Sequence, residues 1–146
     1  MKGGDKMKLL KRIASLILVI ATLFVFAVNT FASENTITPR YNNTGSTEAV
    51  FIIDANGLAT VTYTCIGYRG ITTNIVVETK IEKKFWWWWN DVDGASWTDQ
   101  SSDYYCDSTH TIQLSDTGTY RATITYTVYG SGGEADVIER EIEKSY

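Results

Sequence analysis

From residue 48 onward, apolar and polar residues alternate with a period of two, and the period of a helix is absent. Thr, Val, Ile and Tyr dominate these segments, and such residues favour strands. Turn-forming residues separate the segments, as at Asn56-Gly57, where Gly supplies the positive φ of a tight hairpin. The pattern predicts strands at about residues 48–54, 58–66, 71–83, 85–92, 103–114, 118–129 and 135–144. Seven short strands without a helix favour a two-sheet β-sandwich.

The first 32 residues have the layout of a secretory signal peptide. Basic residues precede an apolar stretch at residues 13–28, and Thr30 and Ala32 are small residues where a signal peptidase cuts. About sixteen apolar residues fall short of the roughly twenty in a spanning helix, which is the alternative. We therefore expect a signal peptide at residues 1–32, an extended polar lead-in at 33–47 and a domain at 48–146, with the product secreted.

The expected mature chain is strongly acidic. Residues 1–32 hold five of the thirteen Lys and Arg and one of the seventeen Asp and Glu. Eight basic residues therefore face sixteen acidic ones, a net charge of about −8, which disfavours nucleic acid and anionic lipid as partners. Residues 33–146 contain no second hydrophobic segment, so no membrane span is expected after cleavage. The product is expected to be extracellular, either released or held at the cell surface by non-covalent contacts.

A five-residue motif sharpens the fold prediction. Residues 116–120, with Asp116, Gly118 and Tyr120, resemble the D-x-G-x-Y tyrosine corner of immunoglobulin-like domains. There the Tyr hydroxyl bonds back to the preceding turn. The Cys that follows two residues later in antibody domains is Ala122 here. The sequence thus predicts an all-β, immunoglobulin-like two-sheet antiparallel sandwich without the usual inter-sheet disulfide.

Two cysteines remain, Cys65 and Cys106. They fall on the second and fifth predicted strands, which are neighbours in one sheet of such a sandwich, and both are in phase with inward residues. Outside the cell a pair of thiols usually oxidises. We expect a structural Cys65–Cys106 disulfide, and two buried free thiols are the alternative.

The chain also resembles a group of small secreted β-domain proteins of Gram-positive bacteria. The resemblance spans nearly the whole predicted mature chain in short pieces: Pro39-Arg40-Tyr41, Trp89-Asn90-Asp91-Val92, Trp97, Gly118-Thr119-Tyr120, Gly130-Ser131-Gly132-Gly133 and Lys144-Ser145-Tyr146. It implies a β-domain and nothing about a site. The tryptophan run and the cysteine pair are departures from that group.

The most unusual segment is Phe85 followed by four tryptophans. If it continues the preceding strand, Phe85, Trp87 and Trp89 point to the core while Trp86 and Trp88 face solvent. Adjacent exposed indoles mark a binding face or a self-association edge more often than they mark packing alone. Trp86 and Trp88 are therefore the candidate ligand-binding residues.

Nothing in the sequence favours an enzyme. It has no nucleophile elbow, no metal triad and no Gly-rich phosphate loop, and it predicts no catalytic residue, metal or cofactor. Asp91 and Asp93 are the carboxylates on which a hydrolase or a calcium loop could otherwise depend. We expect a non-catalytic interaction module that binds an extracellular protein or itself. The alternative is a carbohydrate or cell-wall glycan module that stacks sugars on the same tryptophans.

Overall fold

The computed structural model describes residues 41–146, which form seven strands and no helix. The strands are β1 (Thr44–Ile53), β2 (Leu58–Gly67), β3 (Thr72–Phe85), β4 (Trp88–Ser101), β5 (Tyr105–Gln113), β6 (Thr119–Gly130) and β7 (Asp136–Ser145). The predicted all-β sandwich is confirmed. The predicted signal peptide, its cleavage site and residues 33–40 of the lead-in lie outside the described residues.

The strands form two antiparallel sheets. Sheet A has the order β1-β2-β5, and sheet B has the order β4-β3-β6-β7. The chain therefore changes sheet between β2 and β3, between β4 and β5 and between β5 and β6, as in immunoglobulin-like sandwiches. The fourth strand pairs with the third, so sheet B is the larger sheet and ends in the β3–β4 hairpin.

The core lies between the inner faces of the two sheets, because alternate residues along each strand are apolar and point to the same face. On β2, Val61, Tyr63 and Cys65 are buried, while the threonines between them are not. The other buried apolar residues are Phe51, Ala59, Ile75, Val77, Ile81, Ala95, Cys106, Leu114, Tyr120, Ala122, Ile124, Tyr126, Val128 and Ile138.

Strand β1 begins at Thr44, four residues earlier than the lead-in prediction allows. The Asp136 carboxylate accepts hydrogen bonds from the Asn42 and Asn43 amides at 3.0 and 2.7 Å and from the Thr44 hydroxyl at 2.9 Å. The Asn43 side chain, which is fully buried, donates to the Glu134 carbonyl at 2.9 Å. These contacts hold residues 42–44 against β7, so this part of the predicted lead-in belongs to the domain.

Strand β4 is longer than predicted. The polar stretch around Asp93, Gly94 and Ala95 is a β-bulge and not a loop between strands. Pairing steps from Lys80–Ser96 to Glu82–Asp91, so four β4 residues stand against Ile81 alone. Gly94 adopts a φ of +72°, which lets the chain bend there.

Candidate functional site

The tryptophan run forms the tip of the β3–β4 hairpin. Phe85 pairs with Trp88, so Trp86 and Trp87 are the two turn residues. Trp86 has a φ of +59° and is the one non-glycine residue with positive φ in the described chain. A two-residue turn with positive φ at its first position normally carries Gly there, and a bulky residue costs about 1–3 kcal/mol. Folding alone therefore disfavours Trp at position 86.

We call residues 85–88 the aromatic tip. The side chains of Trp86 and Trp87 are 74% and 76% exposed, and those of Phe85 and Trp88 are 51% and 42% exposed. Trp87 meets Trp86 and Trp88 edge-on, with ring centroids 5.6 and 5.0 Å apart and interplanar angles of 90° and 88°. The tip is thus an exposed aromatic cluster in which the Trp87 ring stands perpendicular to its two tryptophan neighbours.

The predicted orientation of the run is partly wrong, because a turn reverses the chain at Trp86 and Trp87. The candidate residues Trp86 and Trp88 are exposed, as expected, but Trp87 is equally exposed and does not enter the core. Phe85 keeps the inward phase of β3, yet the core ends before it. The predicted tryptophan-rich strand is in fact a hairpin end.

Trp89 lies on the outer face of sheet B instead of in the core. The Arg121 guanidinium lies 4.5 Å from the centre of its ring, and the Lys84 ammonium lies 5.4 Å from it. Arg121 also donates to the Glu82 carboxylate at 2.8 Å, and Lys80 pairs with the same group at 3.1 Å. Glu82 is therefore buried beneath two cations at 6% exposure.

A cleft of about 360 Å³ opens beside the aromatic tip, between the β3–β4 hairpin and the β5–β6 connection. The hairpin supplies Lys83, Phe85 and Asn90, with Lys83 paired to Asn90 across the strands. Leu114 and Tyr120, which are buried core residues, form its apolar floor. The remaining lining residues are Asp91, Val92, Asp93, Gln113, Ser115 and Asp116.

The sequence reasoning did not predict this cleft. The local signal for the cleft is the Asp93–Gly94 pair, which marks the bulge, but the opposing wall comes from residues 113–116, about twenty positions later. Bulges occur often beside functional sites, where they redirect side chains.

The segment with the predicted tyrosine corner forms one wall of the cleft. The Tyr120 hydroxyl donates to the Asp116 carbonyl oxygen at 2.6 Å, and Gly118 adopts a φ of +154°. The Lys83 ammonium lies 3.2 Å from the Asp116 carboxylate and 5.7 Å from the Tyr120 ring centre. Slight burial opposes the charge on Lys83, but the hydrogen bond to Asp116 outweighs it and raises the Lys83 pKa. Lys83 is therefore a fixed cation at the cleft wall.

A second polar cluster joins the two sheets at their β4–β5 side. The Asp99 carboxylate accepts a hydrogen bond from the Tyr63 hydroxyl and lies 2.5 Å from His110 Nε2. Burial alone would raise the Asp99 pKa, but the hydrogen bonds from Tyr63 and His110 lower it. Ser108 meets the same His110 nitrogen at 3.3 Å, whereas a catalytic triad uses both ring nitrogens. This cluster links the sheets and lacks the layout of a nucleophile with its base.

The two cysteines face each other. Cys65 and Cys106 are directly opposite in the β2–β5 pairing, both are buried, and both are thiols in this structure. Burial and the neighbouring Cys106 raise the Cys65 pKa to about 12. Burial also raises the Cys106 pKa. Neither thiol is therefore a reactive nucleophile in the folded domain.

Comparisons with protein-family models, with curated proteins and with solved structures returned no match for this chain. Within residues 41–146, no group of three or more His, Cys, Asp or Glu side chains is arranged to hold a metal ion. The same part of the chain has no helix of the length and hydropathy that a membrane span requires.

Proposed function

We propose that this protein is a secreted, non-catalytic interaction module that binds another protein, or a second copy of itself, through its aromatic tip. The observation that carries the proposal is Trp86 at a turn position that favours Gly. Strained residues that persist on a surface are found where function needs their side chains.

The size of the tip also supports a binding role. Trp86 and Trp87 together expose about one and a half indole side chains, roughly 300 Å² of largely apolar surface. Removing that surface from water would contribute about 7 kcal/mol before the costs of association. Tryptophans buried in this way are typical hot spots of protein interfaces.

The shape of the tip favours a protein pocket over a sugar chain. Stacking along a polysaccharide needs rings that lie side by side in one plane. The Trp87 ring instead stands perpendicular to each of its two neighbours, Trp86 and Trp88, so the three rings do not lie in one plane. The alternative of sugar stacking on these same tryptophans therefore has less support than insertion of the tip into a partner.

Secretion and a disulfide are further parts of the proposal. The basic, apolar and small-residue regions of the first 32 residues support export. The directly opposed positions of Cys65 and Cys106 support a cross-strand bond in an oxidising environment.

The test compares the mature domain with a Trp86→Ser/Trp87→Ser variant. Tyr105→Ser is the matched control, because Tyr105 is a 44% exposed aromatic residue on the other sheet. Sedimentation velocity over a range of concentrations measures self-association. Immobilised domain exposed to extracellular proteins, followed by mass spectrometry, measures capture of a partner.

We expect concentration-dependent association, or capture of one defined protein, that the double variant loses and the control keeps. All variants should retain the far-UV circular dichroism of the wild type, because the tip contributes nothing to the core. Association that survives in the double variant would contradict the proposal, and so would a wild type that neither self-associates nor captures a protein.

A further inference from the structure

We propose that the cleft beside the aromatic tip binds a neutral saccharide of one or two rings. This site adjoins the aromatic tip and shares Phe85 with it, but the two turn tryptophans that carry the proposed interaction, Trp86 and Trp87, do not line it. The inference therefore goes beyond the role proposed for the tip.

The cleft has the dimensions of a small-ligand site. Its volume of about 360 Å³ falls near the lower end of the range of roughly 300–1,000 Å³ for such sites. Leu114 and Tyr120 give it an apolar floor, and polar side chains surround its opening. An apolar base with a few polar groups at the rim is the usual construction of a site that orients a small molecule.

Three polar side chains that line the cleft, those of Asn90, Asp91 and Asp93, have unused hydrogen-bonding capacity. Within the described chain, none of these three side chains has a hydrogen-bond partner, whereas Gln113 donates to the Asn56 carbonyl at 2.7 Å. Asn90 can both donate and accept, and the two carboxylates can only accept. Sugar hydroxyls match these groups, because each hydroxyl donates one hydrogen bond and accepts others.

The exposed ring of Phe85 suits the apolar face of a sugar ring. Phe85 borders the cleft and is 51% exposed, so its ring is accessible to a ligand. The C–H face of a pyranose is apolar and can pack on such a ring, while its hydroxyls reach the polar rim. A purely apolar ligand would leave the polar groups desolvated and unpaired, which is costly.

Charge selects against anionic sugars. Asp91, Asp93 and Asp116 line the cleft, while Lys83 is its one cation and is paired with Asp116. A carboxylated or sulfated sugar would meet a net negative lining, and like charges repel. A neutral saccharide avoids that repulsion and still donates to the carboxylates.

The test is isothermal titration calorimetry of the mature domain with cellohexaose, maltohexaose, xylohexaose and N-acetylchitohexaose. Hexaglucosamine, which is cationic, serves as the charged comparison. The variants are Asn90→Ala/Asp93→Ala and Phe85→Ala. Glu139→Ala is the acidic control, because Glu139 is exposed on β7 and does not line the cleft.

We expect one neutral hexasaccharide to bind at one site per chain, with affinity reduced at least tenfold in both cleft variants and unchanged in Glu139→Ala. The Trp86→Ser/Trp87→Ser variant should bind that sugar as the wild type does. Loss of sugar binding in this variant alone would overturn the assignment to the cleft and would place the sugar site at the tip. Absence of binding to all four neutral sugars, or binding to hexaglucosamine alone, would also overturn the inference.

Discussion

At the scale of single residues, Trp86 shows a conflict between backbone preference and side chain. Its φ of +59° suits Gly, and no buried contact of its indole compensates, because 74% of the side chain is exposed. The position therefore trades some stability for an exposed ring. Such trade-offs are common where a residue serves function rather than folding.

This conflict predicts a stabilising substitution. Trp86→Gly should raise the free energy of unfolding by about 1 kcal/mol, because relief of the strained φ outweighs the added chain entropy of Gly. Trp87→Gly is the neighbouring control, since Trp87 has no positive φ and its substitution should not stabilise. Urea unfolding measures both variants, and equal destabilisation of the two would contradict the strain argument.

The carboxylate of Asp136 is the second residue whose role is local and testable. Burial alone would raise its pKa, but hydrogen bonds from the Asn42 and Asn43 amides and from Thr44 outweigh burial and lower it. A lowered folded-state pKa stabilises the fold above the unfolded value near 3.9, and this stability is lost as pH falls through the folded value.

Asp136→Asn should therefore lower the free energy of unfolding by about 2–3 kcal/mol at pH 7, because an amide cannot accept the same set of donors. The difference in the free energy of unfolding between this variant and the wild type should become smaller at pH 3 and below. Glu139→Gln, an exposed change on the same strand, should have little effect at either pH. Urea unfolding at both pH values tests this prediction. A difference in the free energy of unfolding that stays the same at low pH would contradict the stabilising role of the ionised Asp136 carboxylate.

At the scale of elements, the β3–β4 hairpin carries the aromatic tip and supplies one wall of the cleft. Its pairing with β6 continues to Lys83 and Tyr120, so the hairpin stays part of sheet B almost to its end. Regular pairing with Lys83 holds Asn90 at the cleft, the β4 bulge holds Asp93 there, and the two-residue turn presents the tip. One hairpin thus supports the aromatic tip and one wall of the cleft next to each other.

The opposite end of the sandwich depends on close backbone approach. A Cβ added at Gly132 would overlap the Asn42 carbonyl oxygen, which belongs to the rigid segment held by Asp136. Gly132→Ala should lower the free energy of unfolding by about 1–3 kcal/mol, since backbone must move to make room. Gly70→Ala is the contrasting change: nothing lies near its Cβ, and only its positive φ should cost stability. Thermal unfolding of the two variants compares the cost of crowding with the cost of φ strain. A smaller loss of stability in Gly132→Ala than in Gly70→Ala would contradict the packing argument.

At the scale of the whole molecule, a Cys65–Cys106 disulfide would join strands β2 and β5, which are neighbours in sheet A. The bond would close a loop of about forty residues and add about 3–4 kcal/mol in the chain-entropy model. We expect the exported protein to have an intact mass lower by two hydrogens than the dithiol form, and Cys65→Ala/Cys106→Ala to lose that stability. The mass of the dithiol form in exported protein would contradict this prediction.

Much of the fold followed from local pattern. The period-two alternation placed β2 within one residue of its observed ends, and it placed Cys65 and Cys106 on strands that prove to be directly paired. This worked because alternation is a property of each strand by itself, and the residues that end strands act through their own φ preferences.

The sequence by itself determined the number of strands, the inward face of strands such as β2 and the position of the tryptophan run, but not the bounds of β4. Tertiary structure decided where that run turns. When all the residues are aromatic, there is no apolar–polar alternation to indicate where one strand ends and the next begins. The pairing of β3 with β6 and the bulge opposite Ile81 set the turn at Trp86 and Trp87. The cleft likewise exists only because the distant segment of residues 113–116 folds back beside that hairpin.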